Sequence, residues 1–203
     1  EDQLGHRFAY GAEAFAVKDG KIIAVGTSEE ILSKYKSDQL IDAGGKAVYP
    51  GFIDAHCHFY GYGLNLTNAN LVGCTSEKEM ISRVQKWAAE NPEGWILGRG
   101  WDQNEWPDKK FPNKKTLDSI FPDRPVYLTR IDGHAALVNS AAMRMANIEK
   151  TTTVNGGKLL LENGSPSGIL IDNAMELVSA KIPEPTAKQS SDALLKAQQN
   201  CFA

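Results

Sequence analysis

Residues 49–63, "YPGFIDAHCHFYGYG", place two histidines, His56 and His58, at the end of a short apolar run. In a β-strand, residues i and i+2 point to the same face, so both imidazoles would lie side by side while Cys57 points away. Neutral imidazoles are good ligands for zinc and related metals. Because a lone His-x-His pair arises often by chance, the interpretation as a metal site depends on the surrounding chain.

Two regions of the chain differ in their hydrophobic pattern. Residues 1–48 are predicted to be β-rich, because residues 14–26 alternate around Asp19-Gly20 in the way that is typical of a hairpin. From residue 49 to residue 203, strand-like runs alternate with helical patterns, which indicates βα units around a parallel sheet. The run "GFIDAHCH", residues 51–58, is the first strand predicted in this second region.

Further elements are predicted by local signals. Two more strands are expected in "EGWILGRGWD", residues 93–102, and "RPVYLTRIDGH", residues 124–134, and a hairpin is expected around Asn163-Gly164. Helix starts are expected where the spacing of a capping box occurs. These pairs are Thr27 with Glu30, Ser76 with Glu79, and Thr186 with Gln189.

Composition excludes several classes of protein. The 203 residues are 42% hydrophobic and 23% charged, as in ordinary globular proteins, and the net charge of -3 argues against a nucleic-acid partner. No apolar stretch reaches the roughly 18 to 20 residues of a membrane span. Three widely spaced cysteines fit no disulfide framework and favour a cytoplasmic location, although a removed signal peptide would leave no trace.

Polar residues follow two of the predicted strands. Trp101 and Asp102 lie where a strand gives way to a loop, which in a barrel faces the active-site mouth and would allow a substrate contact. The alternative is that Trp101 packs against the core and Asp102 caps a turn.

The second strand end is richer in polar groups. Arg130, Asp132 and His134 would share a face if the strand continued that far. A structural alternative is a buried Arg130–Asp132 ion pair with His134 hydrogen-bonded to backbone. Asp54 would share the face of His56, where it could orient the imidazole or bond backbone.

Four segments, taken in order, resemble successive motifs of the amidohydrolase superfamily. They are "AFAVKDGKIIAVG", "IDAGGKAVYPGFIDAHCHFYGYG", "GWILGRGWDQNEWP" and "RPVYLTRIDGHAALVNSAAM". The branch they resemble most is amidohydrolase family 3, which includes N-substituted formamide deformylases. The resemblance implies a composite β-sandwich beside a (β/α)8 barrel with one or two divalent metal ions, zinc being the one expected. It also implies hydrolysis of a non-peptide C–N bond by metal-activated water.

The resemblance also implies roles for individual residues. Residues 50–58 match the family's first barrel strand, so His56 and His58 are expected to be metal ligands. The Asp-Gly-His segment is expected at the active-site end, where it favours His134 as a group that binds substrate or stabilises the transition state. The other expected site residues are Trp101, Asp102 and Asp132 for substrate binding, and Asp54 and Arg130 as orienting groups.

The length of the chain limits this fold. A full barrel takes about 250 residues, so residues 49–203 can hold about three of its eight strands. The expected fold is therefore α/β: part of a composite β-sandwich, then the first units of an incomplete barrel with a β-hairpin insertion. The remaining metal groups that the resemblance implies, a bridging Lys or Glu, two histidines and a catalytic Asp, would follow Ala203.

These expectations lead to one main function and two alternatives. The main hypothesis is the N-terminal portion of a metal-dependent amidohydrolase acting on a small amide-type substrate. Its catalytic set is incomplete in this chain, so the chain alone is expected to be inactive, and a homo-oligomer is expected to cover its exposed barrel edges. The alternatives are a non-catalytic binding or assembly module, and an enzyme that performs deamination or ring opening by the same chemistry.

Overall fold

The hairpin predicted at residues 14–26 is present in the structure, a computed structural model that describes residues 11–202. Strands β1 (Ala14–Lys18) and β2 (Lys21–Gly26) pair in antiparallel fashion, and Asp19 and Gly20 form the turn with φ of 51° and 72°. Helix α1 (Ser28–Lys34) follows with the predicted capping box. These elements belong to a first unit that ends at Asp54, while residues 1–10 of the predicted β-rich region lie outside the described residues.

The strand predicted at residues 51–58 is absent. Residues 35–58 contain neither helix nor strand, and the side chains of Phe52 and Ile53 are 94% and 92% exposed. A strand of a parallel sheet requires hydrogen-bonded neighbours and burial on both faces. Within residues 11–202 this segment enters no sheet. Its apolar pattern alone therefore does not make it a strand.

The second unit begins at Ala55 and is built around one six-stranded sheet with the order β3-β4-β5-β6-β8-β7. Its strands are β3 (Ala69–Asn70), β4 (Ile96–Trp101), β5 (Val126–Arg130), β6 (Ala135–Val138), β7 (Gly157–Glu162) and β8 (Ser165–Asp172). Strands β3, β4 and β5 are parallel, and every other pairing is antiparallel. The predicted hairpin around Asn163-Gly164 is confirmed, and its strand β8 pairs with β6, so the hairpin extends the sheet.

Six helices complete the second unit. They are α2 (Phe59–Asn65), α3 (Glu77–Glu90), α4 (Lys115–Ile120), α5 (Ser140–Met145), α6 (Glu176–Ser179) and α7 (Ala187–Cys201). The box predicted for α7 is confirmed. Only half of the capping box predicted for α3 is confirmed. The Ser76 side chain accepts from the Glu79 N–H, but the Glu79 carboxylate accepts from Thr75 and not from the backbone of Ser76. No described helix is long and apolar enough to cross a membrane.

The core is divided between the two faces of the sheet. Successive residues of β5 point to opposite faces, so Val126 and Leu128 pack with Met80 of α3, while Tyr127 packs with Met143 of α5. Burial raises the pKa of the Tyr127 hydroxyl to about 12. The sheet is therefore covered by helices on both faces.

The topology brings several strand ends to one edge of the sheet. The parallel strands β3, β4 and β5 all end there. Strand β6 runs back beside β5, and β8 runs back beside β6, so the start of β6 and the end of β8 reach the same edge. Side chains far apart in sequence consequently meet at this edge.

Asn139 links the sheet to the helix that follows it. Its side chain is fully buried, and its Oδ1 accepts from the backbone N–H groups of Val126 and Ala142, each at 3.0 Å. Its Nδ2 donates to the carbonyls of Phe121 and Arg124, each at 2.8 Å. The amide therefore caps α5 and also joins it to the start of β5 and to the single loop between α4 and β5.

Replacing this side chain tests the role of the four bonds. We expect Asn139→Ala to lower the free energy of unfolding by about 3 kcal/mol, because a helix cap is lost and buried backbone groups are left unpaired. Urea denaturation followed by tryptophan fluorescence measures the change. Asn91→Ala is the control, because the Asn91 side chain makes one exposed hydrogen bond, to the Trp87 carbonyl, and losing it should cost less than about 1 kcal/mol. Equal losses of unfolding free energy in the two variants would contradict the role given to the four hydrogen bonds of Asn139.

Candidate functional site

The edge of the sheet where β3, β4 and β5 end carries several polar side chains and is called the polar edge below. A turn directly after β5 shapes it. The strand ends at Arg130, and the Gly133 N–H donates to the Arg130 carbonyl at 3.0 Å. Gly133 has a φ of 81°, which side chains other than that of glycine rarely allow. The prediction that the strand continues to His134 is therefore wrong, because the chain reverses at this turn and returns as β6.

An ion pair braces this turn. The Nε and Nη2 atoms of Arg130 donate to the two carboxylate oxygens of Asp132 at 3.0 and 2.6 Å. The side chains are 17% and 43% exposed, so the ion pair of the structural alternative is present but lies partly in solvent. The Arg130 guanidinium also lies 5.6 Å from the centre of the Phe111 ring, a cation–π geometry.

The ion pair shifts the pKa values of both its members. The guanidinium of Arg130, and to a smaller extent the backbone N–H of His134 at 3.0 Å, lower the pKa of the Asp132 carboxyl to about 2. The same bonds raise the pKa of Arg130. Asp132 is therefore ionised and occupied by donors on both oxygens.

His134 contacts a residue that the sequence did not suggest. Its Nδ1 lies 2.9 Å from the Oδ1 of Asp172, at the end of β8, and the ring is 71% exposed. The alternative that the side chain bonds to backbone is wrong, since its partner is a carboxylate. Only the strand-end position of Asp172 in the predicted hairpin could have signalled this pairing.

Trp101 and Asp102 occupy the positions that the structural alternative described. The Trp101 side chain is fully buried, and its Nε1 donates to the Leu128 carbonyl at 2.8 Å. The Asp102 carboxylate accepts from the backbone and side-chain nitrogens of Asn104, each at 2.9 Å. Within residues 11–202 Trp101 offers no surface to a ligand, and substrate binding by both residues stays a prediction.

His56 and His58 are distant in sequence from the turn at Gly133 and directly precede α2. Both are exposed, and their ring centroids are 5.8 Å apart with planes at 88°. Two imidazoles on one tetrahedral zinc ion place their centroids about 5 Å apart, so the pair is close to the spacing that a shared ion requires. Asp54 is exposed at the end of the first unit.

The donor set fits part of a metal site. The two imidazoles can serve as ligands of one ion, whereas a catalytic zinc has three protein ligands. Among residues 11–202, no group of three or more His, Cys, Asp or Glu side chains could hold a metal ion. The described residues therefore offer two imidazoles at this place, fewer than the ligands of a catalytic zinc.

Comparison with known proteins covers most of the chain. A model described as the amidohydrolase family matches residues 39–202. The Bacillus subtilis protein YtcJ is 34% identical over 195 residues, which are 94% of this chain and 37% of that relative. The N-substituted formamide deformylase of Arthrobacter pascens is 28% identical over 173 residues, 82% of this chain and 32% of that enzyme.

A solved structure agrees with these relatives. The crystal structure of a metal-dependent hydrolase from Pyrococcus horikoshii has a TM-score of 0.56 and 28% identity, covering 93% of this chain and 36% of that protein. The chain thus spans about a third of the length of the relatives that it matches.

The Arg130–Asp132 pair gives a pH-dependent prediction. In Arg130→Met, we expect the Asp132 pKa to rise from about 2 toward the ordinary value of about 3.9. Because the folded-state pKa lies below the unfolded one, the pair stabilises the fold above about pH 4 and loses this effect as pH falls through about 2. Titration of the side-chain carboxyl carbon by NMR measures the midpoint.

Glu79 provides an internal control in the same titration. Its pKa is also lowered to about 2, but by bonds from Thr75 and Arg83 that the substitution leaves in place. The Glu79 midpoint should stay where it is. An Asp132 midpoint that also stays near 2 would show that Arg130 is not the cause.

Proposed function

The chain belongs to the amidohydrolase family, and from that premise we propose that it is part of a metal-dependent hydrolase. The proposed reaction is hydrolysis of an amide or other non-peptide C–N bond in a small molecule. The chain spans about a third of its relatives' length, so the proposal assigns it the N-terminal portion of the enzyme and no activity on its own.

The observation that carries this proposal is the pair of imidazoles at 5.8 Å in a segment covered by the family match. His56 and His58 would hold a divalent ion, zinc being the natural candidate for two nitrogen donors. When bound, such an ion supplies Lewis-acid activation of water and of the bond under attack. Residues outside this chain would complete the ligand set, and Asp54 would help to orient the imidazoles.

The chain's own contribution to catalysis would be a rigid edge that orients the substrate. Arg130 and Asp132 brace the turn that carries His134, so the imidazole is held at a fixed place on the sheet. Hydrogen bonds from such fixed groups reduce the entropy lost on reaching the reactive geometry. Asp102 would face the substrate at the end of β4, with the buried Trp101 supporting it from behind.

Exposed apolar surface supports the view that this chain is one part of a larger fold. Phe52 and Ile53, at the position of the predicted first barrel strand, are almost fully exposed, and the hairpin exposes Val17, Ile22 and Val25. Surfaces of this kind are normally covered. Strands β3, β4 and β5 would be parallel strands of a (β/α)8 barrel that follow this first one, and β1 with β2 would be part of a composite sandwich.

Activity of a longer polypeptide tests the proposal. The reading frame is sequenced beyond the Ala203 codon, and the polypeptide it encodes is assayed with N-substituted formamides and N-acyl amines. We expect hydrolysis that a chelator abolishes and zinc restores. Both His56→Ala and His58→Ala should lower kcat/KM by more than about a hundredfold, since losing a group that merely orients a ligand costs 10- to 100-fold. The chain of residues 1–203 should show no turnover.

Cys57→Ser is the matched control, because Cys57 lies between the two histidines. This variant should keep the activity of the unmodified polypeptide. Full activity in His56→Ala, or hydrolysis that resists chelation, would overturn the metal role. A stop codon directly after Ala203 would instead favour the alternative of a non-catalytic assembly module.

The exposed apolar segment also predicts self-association of the 203-residue chain. We expect light scattering to give a dimer or larger species, because burying apolar surface in an interface is favourable. The double variant Phe52→Lys/Ile53→Lys should shift the equilibrium toward monomer, whereas Lys18→Glu, at the exposed end of β1, should not. A monomer for the unmodified chain would contradict the expectation.

A further inference from the structure

The contact between His134 and Asp172 joins two strand ends that are 38 residues apart. The Asp172 carboxylate lies 2.9 Å from Nδ1 of the imidazole, and the Asp172 N–H donates to the His134 carbonyl at 3.1 Å. The second bond continues the β6–β8 ladder by one residue. Both the backbone and the side chain of Asp172 are therefore directed to His134.

The carboxylate determines which nitrogen of His134 carries the proton. An ionised carboxylate can only accept hydrogen bonds, so the Nδ1 atom must be the donor in this contact. In the neutral imidazole, Nε2 then has a free lone pair. Among the acidic groups near the ring, Asp132 is already paired with Arg130, which leaves Asp172 as the carboxylate that bonds the imidazole.

Asp172 has an unfavourable backbone conformation at this position. Its φ of 48° and ψ of -125° lie in a region that residues other than glycine rarely adopt. Such conformations cost stability and concentrate at functional sites. A glycine would be more stable here if only the fold mattered, so an aspartate implies a use for the side chain.

We propose that Asp172 is a positioning residue that holds His134 in the Nδ1–H tautomer, with Nε2 presented at the sheet edge as an acceptor for a substrate N–H. The inference deepens the proposed function, on which its substrate part rests: the N–H would belong to the amide whose C–N bond is cleaved. Because the ring is largely exposed, Nε2 is accessible to a ligand from outside the sheet.

Imidazole tautomers can be read directly from long-range ¹H–¹⁵N NMR spectra of the 203-residue chain. At about pH 8, above the ordinary histidine range, we expect His134 to be in the Nδ1–H form. In Asp172→Gly it should change to the Nε2–H form, which an imidazole without such a partner prefers. The substitution also relieves the backbone strain, so thermal unfolding should shift upward by a few degrees. His134→Ala identifies the signal.

Asp19→Gly is the matched control. Asp19 is an aspartate with a φ of 51° in the β1–β2 turn, so its replacement makes the same exchange at a positive φ without removing a partner of an imidazole. All histidine tautomers should stay as in the unmodified chain. An Nε2–H form of His134 in the unmodified chain, or an unchanged tautomer in Asp172→Gly, would overturn the positioning role.

The longer polypeptide tests the substrate part separately. Asp172→Gly and His134→Ala should each lower kcat/KM for an N-substituted formamide by about tenfold, as expected for one lost hydrogen bond, and the double variant should lose no more. If the losses in kcat/KM of the two single variants added up in the double variant, the coupling between Asp172 and His134 would be overturned. If the unmodified polypeptide hydrolyses nothing while the tautomer change is observed, the proposed function fails and the positioning role stands.

Discussion

The pairing of the Arg130 guanidinium with the Asp132 carboxylate is the interaction on which the polar edge depends. It braces the turn between β5 and β6, and this turn changes the sheet from parallel to antiparallel. Because β6 runs back beside β5, β8 can run back beside β6. The end of β8 thereby reaches the edge where the three parallel strands end, and Asp172 meets His134.

Local signals in the sequence predicted much of this fold. The two hairpins and the caps of α1 and α7 follow from turn residues and cap spacing that act over a few residues, and these predictions are confirmed. Strand β6 was missed because its four apolar residues are too few to define a period. The turn before it was taken for part of β5 because the alternation of polar and apolar residues continues past Arg130, although Gly133 indicates the end of a strand.

Features that depend on distant residues could not be predicted in this way. Residues 51–58 have the composition of a buried strand, but a strand also needs neighbours, and within the described part of the chain this segment has none in a sheet. Likewise, the His56 and His58 pair is visible in sequence because its members are two residues apart. The Asp172–His134 contact arises only from strand order, which a single sequence does not display.

X-ray absorption at the zinc edge shows whether His56 and His58 bind the metal of an amidohydrolase. The sample is the polypeptide that the full reading frame encodes, loaded with zinc. We expect imidazole nitrogens at about 2.0 to 2.1 Å from zinc, two of which are lost in the double variant His56→Ala/His58→Ala. An unchanged ligand shell in that variant would show that other residues hold the metal, and the proposed role of the two histidines would be wrong.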